Sequence, residues 1–504
     1  MMTLRSYRIR IFLTCWVIFS LHFATDFVRE HYNVISLADH ASYRLDGYED
    51  MHPDIFMTKN HGAHHGANPG ASILATVPYL IFKPIVDKIH KKVIANRAAS
   101  GNKVTAVYKD PRPDRVKFYK QARERGLDIK FGLVGFITQV TTMGPLSALS
   151  AVVIFSVFIW LGLTAKTSTW LALIYAVATP VLFRTGFLNQ NIMVGIFSLF
   201  AFVLVWRPYT NVKLGYKARY ILAGFLAGLG LLCDYSGVIT LGLIGIYVWI
   251  KRSDEVGVRS GFIDSWWYVL GALAPVLVLW HYQYVSFGSP FYPGQHYMPP
   301  VEWIEIGYKG FGFPEWKLLK MLWFDMRFGL FTSGPVLLLG LYLPVLLRSD
   351  RNILPKRETM MILAIIMAMS IFFSAVQYTQ LQYYTGIRYL MAIVPLMFIL
   401  VGVVLVKIPK AVAYSLILLS LTVSWSTAMI RSQEGIIDSI LRVFLEGFQL
   451  PWMATLSRMA TQYLPGLEGK QLSALPFMIF TAAIIYGIWA IKLPAKNLIS
   501  DKVS

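Results

Sequence analysis

The chain has 504 residues, 56% of them hydrophobic and 15% charged, with a mean hydropathy of +0.53. Soluble domains are about a quarter charged, so this composition excludes an ordinary soluble domain and points to lipid as the solvent. In a chain this apolar, the net charge of +20 reflects cytoplasmic loops and contact with anionic lipid or phosphate. It does not imply nucleic acid, and no nucleic-acid partner is expected.

In chain order, a basic start (Arg5, Arg8, Arg10) precedes an apolar run at 9–24, read as a retained first span that begins in the cytoplasm. Further apolar runs fall at 132–163, 168–183, 187–206, 220–250, 266–285, 331–347, 359–380, 388–406, 411–430 and 472–491. The run 220–250 is broken by Asp234-Tyr235-Ser236-Gly237 and counts as a helix pair. A span needs roughly 20 apolar residues, so the expected fold is an all-α polytopic membrane protein of about twelve transmembrane helices. Both termini are expected in the cytoplasm.

The positive-inside rule supports this orientation. The loops assigned to the cytoplasm carry Lys166; Arg207, Lys213, Lys217 and Arg219; Lys251, Arg252 and Arg259; Arg348, Arg351, Lys356 and Arg357; and Lys407 and Lys410. The basic segment 83–130 falls outside in this count, which a long loop tolerates. The alternative makes 71–87 a span and splits 132–163 in two. Pro78 and Pro84 interrupt 71–87, so the first reading, with 71–87 at the membrane surface, is preferred. Polar mass then collects in three outside regions, at 25–131, 286–330 and 431–471. In the last of these, GIIDSILRVFLEGFQL has apolar residues at helical spacing and is expected to lie along the membrane surface. Residues 1–430 would hold the chemistry. Residues 431–504 would add this surface segment, a last span and a cytoplasmic tail.

The spans carry almost no ionisable residues at mid-membrane, where an ion-coupled transporter usually keeps them. Seven of the ten histidines lie between residues 22 and 65, among Asp26, Glu30, Asp39, Asp46, Glu49, Asp50 and Asp54. The stretch KNHGAHHGANPG is the densest local signal. Its His61, His64 and His65, at i, i+3 and i+4, suit a divalent metal shared with Asp54 or Glu30. A Gly-rich turn whose imidazoles bond to carbonyls is the other reading. A helix is expected after Asn68-Pro69.

FATDFVREHY after the first span, HHGANPGASILATVPYLIF, FRTGFLNQN between the third and fourth spans, CDYSG, FGSPFYPG with FDMRFGLFTSGPVLLL, and TGIRYLMAIVP follow one another in order. In this ordered set the chain resembles the GT-C superfamily of integral-membrane glycosyltransferases. The branch it is most similar to holds the protein O-mannosyltransferases and the lipid A aminoarabinose transferases (glycosyltransferase family 39-like). The resemblance implies a GT-C-like bundle with a long extracytoplasmic first loop, about 25–131, that contains juxtamembrane helices. It also implies an inverting transfer of a sugar from a polyprenyl-phosphate donor to a lipid, polysaccharide or protein acceptor, on the outer face of the cell (inner) membrane.

In that family an essential acid stands near the start of the first loop, the place of Asp26, with Glu30 one turn on. Asp26 is then the candidate base and Glu30 a second catalytic acid. Arg388 and Arg327 are candidate cations for the leaving phosphate. Asp54, His52, His61, His64 and His65 are candidates for metal or substrate contact. The chain departs from the family in placing Phe27 after Asp26 and Asn189 and Asn191 in the fourth-span turn. A lipid or glycan transporter (flippase) and a non-catalytic scaffold are the rival readings.

Overall fold

The computed structural model describes residues 2–99, 113–206, 214–342, 353–382, 384–430, 434–460 and 473–491. Apolar runs become helices because lipid offers the backbone no partners, so each N–H and C=O must pair within its own segment. Among the described residues, six helices are long and apolar enough to cross a membrane: Gly70–Ala99, Asp128–Trp160, Tyr216–Cys233, Val258–Phe287, Lys356–Ser374 and Lys410–Met429. Shorter apolar helices run over Gln190–Trp206, Val394–Leu405 and Leu475–Ala490. The first helix, Leu4–Leu21, is capped by the Thr3 side chain, which accepts from the Ser6 N–H at 3.2 Å.

Every side chain of Val394–Leu405 is buried, and nearly every one of Gln190–Trp206. A helix apolar all round belongs in the middle of a bundle, and these two form the centre. Val258–Phe287 is peripheral, with Trp266, Leu270 and Leu277 exposed. It packs on Tyr216–Cys233 through small residues. A Cβ on Gly224 would overlap the Tyr268 carbonyl, and one on Gly271 the Ile221 carbonyl. Glycine therefore lets the two backbones touch.

The break in 220–250 falls at residues 234–236, as expected, between Tyr216–Cys233 and Gly237–Val256. The run 132–163 is one continuous helical segment with a π-turn at Gln139–Met143. Two expectations are corrected. Pro78 and Pro84 do not interrupt their helix, and Gly70–Ala99 is continuous over 30 residues. The described part of 331–347 is no single α-helix. It forms a short turn, Leu330–Ser333, and 3₁₀ turns over Pro335–Tyr342, because Gly334 and Pro335 break the helical path.

Three contacts fix the course of Gly70–Ala99. Gly70 lies against the Leu232–Cys233 backbone with no room for a Cβ. Lys83 pairs with Asp39 at 3.0 Å, and Arg97 makes a two-pronged bond to Asp128 at 2.8 and 2.9 Å. At the opposite end of the bundle the first and last helices meet. Arg10 donates to the Trp489 and Ile491 carbonyls, and Trp489 Nε1 donates to Thr14 at 3.0 Å. The amphipathic segment forms the helix Ile436–Glu446, with Ile437, Leu441, Phe444 and Leu445 exposed along it.

Candidate active site

The first helix ends at Leu21, and residues 23–28 run on without regular structure before the helix Arg29–His40. Asp26 and Glu30 are therefore not one helical turn apart on a common helix, as expected from sequence. Asp26 stands in a linker pinned to the turn after the third apolar run, where the Ala24 N–H donates to the Gly186 carbonyl at 2.8 Å. Gln139 of the π-turn braces the same junction, donating to the Phe19 and Thr185 carbonyls at 2.8 and 3.3 Å.

This linker forms one wall of a cavity of about 510 Å³, within the usual range for small-molecule sites. Asp26, Glu30, His52, Asp54, Arg327 and Arg388 all line it, so six of the nine side chains singled out in the sequence come together. Arg29, Arg115, Arg184, Asn189, Gln190, Asn191, Gln382 and Tyr384 line it too. Among the described lining residues, guanidiniums outnumber carboxylates by five to three.

The three acids have different surroundings. Tyr384 donates its hydroxyl to Asp26 Oδ1 at 2.8 Å, and the Arg115 guanidinium lies 3.9 Å from the same oxygen. Glu30 and Asp54 share Arg29, whose Nη1 reaches Asp54 at 2.6 Å and whose Nε reaches Glu30 at 3.2 Å. Burial opposes the charge on Asp54, but Arg29 and His52 outweigh it and hold its carboxyl down at about 2. Burial likewise opposes the charge on Glu30, and Arg29, with Arg388 beyond it, holds its carboxyl below the ordinary range. Both stay ionised and poorly basic, which suits a structural role beside Arg29.

The cationic wall is built from backbone. The Gly386 N–H donates to the Arg327 carbonyl at 2.7 Å, so the segments carrying Arg327 and Arg388 are cross-linked directly. Arg184, itself buried, donates to the Ile387 carbonyl at 2.7 Å and the Gly386 carbonyl at 2.5 Å. The Ile387 N–H reaches Ser333 at 2.8 Å, and the Arg388 N–H reaches Gln382 at 3.0 Å. Gly386 sits at φ +91°, and a Cβ there would strike the Phe183 ring. Arg327 Nε is buried without a partner among the described residues.

The histidines do not gather as helical spacing implied. Residues 62–65 form a strand, Gly62–His65, paired antiparallel with Ile55–Thr58, and a strand sends neighbouring side chains to opposite faces. His64 turns towards Phe287 and bonds to the His61 carbonyl at 2.9 Å, while the His61 ring bonds to the Val285 carbonyl at 3.0 Å. These imidazole–carbonyl bonds match the turn reading. His65 faces the other way. Burial, with the Arg29 charge added, lowers its pKa to about 3, so it is neutral. Its Nδ1 accepts the Ala67 N–H at 3.2 Å. Among the described residues no three His, Cys, Asp or Glu side chains come close enough to hold a metal ion.

Sequence reasoning missed Arg115, Arg184, Gln382 and Tyr384 as site residues. Arg115 lay within the noted basic segment, and Arg184 is the second residue of the quoted FRTGFLNQN. Gln382 and Tyr384 directly precede the quoted TGIRYLMAIVP. No family model, no curated protein and no solved structure matches the chain.

Proposed function

We propose that the protein is a membrane glycosyltransferase that moves a sugar from a polyprenyl-phosphate donor to an acceptor hydroxyl at the membrane surface. The observation that carries this reading is the cavity with a carboxylate on one wall and two guanidiniums, Arg327 and Arg388, on a cross-linked cationic wall. Asp26, which lines the cavity and accepts the Tyr384 hydroxyl, is our candidate for the base.

In the step, the acceptor oxygen attacks the anomeric carbon from the face opposite the phosphate, and configuration inverts. The bond from that carbon to the phosphate oxygen breaks, and its electron pair leaves with the polyprenyl phosphate. The hydroxyl proton passes to Asp26, a contribution of about 10²–10⁴ in rate for a well-placed base. The phosphate gains one negative charge as it leaves. Fixed guanidiniums in a partly water-excluded site stabilise that gain more than they stabilise the donor.

The same reading orients the chain. Gly70–Ala99 meets the Asp26 side of the bundle at its start, middle and end, which supports a helix lying on the outer surface rather than crossing. The meeting of the first and last helices at the other end supports termini on one side, the cytoplasm.

Membranes carrying the protein, supplied with a panel of polyprenyl-phosphate sugars and native envelope extract, test the reading. Free polyprenyl phosphate is expected, with at least tenfold less from Arg388→Ala or Arg327→Ala. Unchanged release from both variants contradicts the assignment of the cationic wall. Net movement of intact donor across vesicles without release favours a transporter.

A further inference from the structure

The helix Leu4–Leu21 ends, like any helix, in carbonyls that no later turn satisfies. The indole of Trp452 reaches one of them, donating through Nε1 to the Leu21 carbonyl at 2.9 Å. Thr455 stands three residues further along the same helix, Pro451–Ala460, and shares a 2.8 Å hydrogen bond with Thr25. Side chains three apart lie on one helix face, so this face grips the chain at Leu21 and again at Thr25. Asp26 is the next residue. Leu450, Met453 and Ala474 pack with Leu21 and Trp452 around the contact.

The helix before it, Ile436–Glu446, faces elsewhere. It packs on the end of Lys410–Met429 with Ile436 and Ser439 buried, the Ser439 hydroxyl lying 3.5 Å from the Ile430 carbonyl. Ile437, Leu441, Phe444 and Leu445, followed by Phe448, form an exposed apolar stripe, and Leu445 is 82% exposed. Gly447, at φ +83°, turns the chain from one helix towards the other.

The neighbours say what covers the stripe. Lys410–Met429 is long and apolar enough to cross a membrane, and Leu475–Ala490 is apolar with Thr481 as its one buried side chain. Phe477, in the first turn of Leu475–Ala490, meets Trp452 edge-on with ring centres 5.0 Å apart. The two short helices therefore sit where apolar helices end, at the level of the lipid boundary. Charge adds little attraction there. Residues 434–449 hold Glu434, Asp438 and Glu446 against Arg442 alone, and Arg442 is bonded to Glu446 at 3.0 Å. Seating then depends on apolar burial rather than on anionic headgroups.

We propose that these two helices form a lipid-seated brace for the linker that carries Asp26. Ile436–Glu446 rests its stripe in the boundary between headgroups and acyl chains. Pro451–Ala460, through Trp452 and Thr455, holds Leu21 and Thr25 and so sets Asp26 in place. Trp452 and Thr455 are positioning residues. The brace stands on these contacts alone, and its consequence for catalysis rests on the glycosyl-transfer reading.

The test uses full-length protein in phosphatidylcholine nanodiscs. Cys15 and Cys233 are buried, so Leu445→Cys directs a bimane label to the stripe. Lipids carrying a doxyl group near the headgroup should quench the label strongly, and equally when phosphatidylglycerol replaces part of the phosphatidylcholine. Hydrogen exchange reads the linker, where the Phe23 and Ala24 N–H groups donate to the Ser20 and Gly186 carbonyls. Their exchange should quicken at least tenfold in Trp452→Phe/Thr455→Val, which keeps the ring but loses both bonds. It should quicken as much in Phe444→Glu/Leu445→Glu and stay at the wild-type rate in Phe444→Leu. Leu441→Ser carries the test if the glutamate protein does not elute as a single folded species. On a transferred sugar, each double variant should lower kcat at least tenfold and change the donor KM less than threefold.

An unquenched label, or linker exchange unmoved by Phe444→Glu/Leu445→Glu, overturns the brace whatever the donors show. Faster exchange with unchanged kcat overturns its role in placing Asp26. No release from any donor by a folded wild type overturns the transfer reading, while quenching and exchange still decide the brace.

Discussion

Tyr384 donates its hydroxyl to Asp26 Oδ1 at 2.8 Å, joining residues 358 positions apart in the chain. The bond fixes which way the carboxylate faces in a linker that has no helix to hold it. Tyr384 is thus a positioning residue for the proposed base. Hydrogen bonds to charged groups contribute about 1.5–3 kcal/mol. Tyr384→Phe should therefore lower kcat about tenfold or more while changing the donor KM less than threefold. Steady-state kinetics on a transferred sugar check this, and an equal rise in KM would make the bond one that supports binding.

Arg29 carries two carboxylates, and its removal leaves both without a partner in a largely buried site. Breaking such a pair costs about 3 kcal/mol, the low end of the range because Asp54 is 33% exposed. The pH dependence has a definite sign. Asp54 is held at about 2, below the ordinary 3.8, so its share of stability is present above pH 3.8 and is lost as pH falls towards 2. The lowered Glu30 acts in the same direction. Without the Arg29 guanidinium, burial is opposed by Arg388 as the remaining guanidinium, and both carboxyl pKa values rise. Thermal unfolding of Arg29→Ala in detergent should then start lower at pH 7 and rise as pH falls towards 4. Wild type should hold steady over that interval and weaken only below it.

Arg184 acts on the cationic wall through backbone. Its two bonds, to the Gly386 and Ile387 carbonyls, fix the segment that delivers Arg388. Lysine keeps the charge but not the fork. Arg184→Lys should fold, retain Asp26-dependent transfer, and raise the donor KM by about tenfold. A titration of donor concentration checks this. Unchanged KM would show that Arg388 keeps its place without the clamp.

The helices were legible because lipid forces the apolar runs to pair their own backbone, and the break at 234–236 showed because its polar residues interrupt that run. Six side chains of the cavity were legible because acids, arginines and a histidine are rare beside apolar runs and were conspicuous there. Tyr384 and Arg184 were not, since their roles come from segments that meet only in the folded bundle, and no local spacing encodes the meeting. The histidine triad was misread through period. His61, His64 and His65 suit one helix face at i, i+3 and i+4, but Gly62, at φ +84°, turns the chain into a hairpin instead. His64 and His65 then part to opposite faces. The Asp26–Glu30 pairing failed similarly, because the helix starts only at Arg29.

The central claim is that Asp26 takes the acceptor's proton in a sugar transfer. It is tested most directly by release of polyprenyl phosphate from polyprenyl-phosphate sugars in the presence of envelope acceptor. Wild type is compared with Asp26→Asn, and both are shown to be folded by thermal unfolding. The account predicts release by wild type and at least a hundredfold less by the variant, with donor binding retained. Equal release by the two proteins would contradict it.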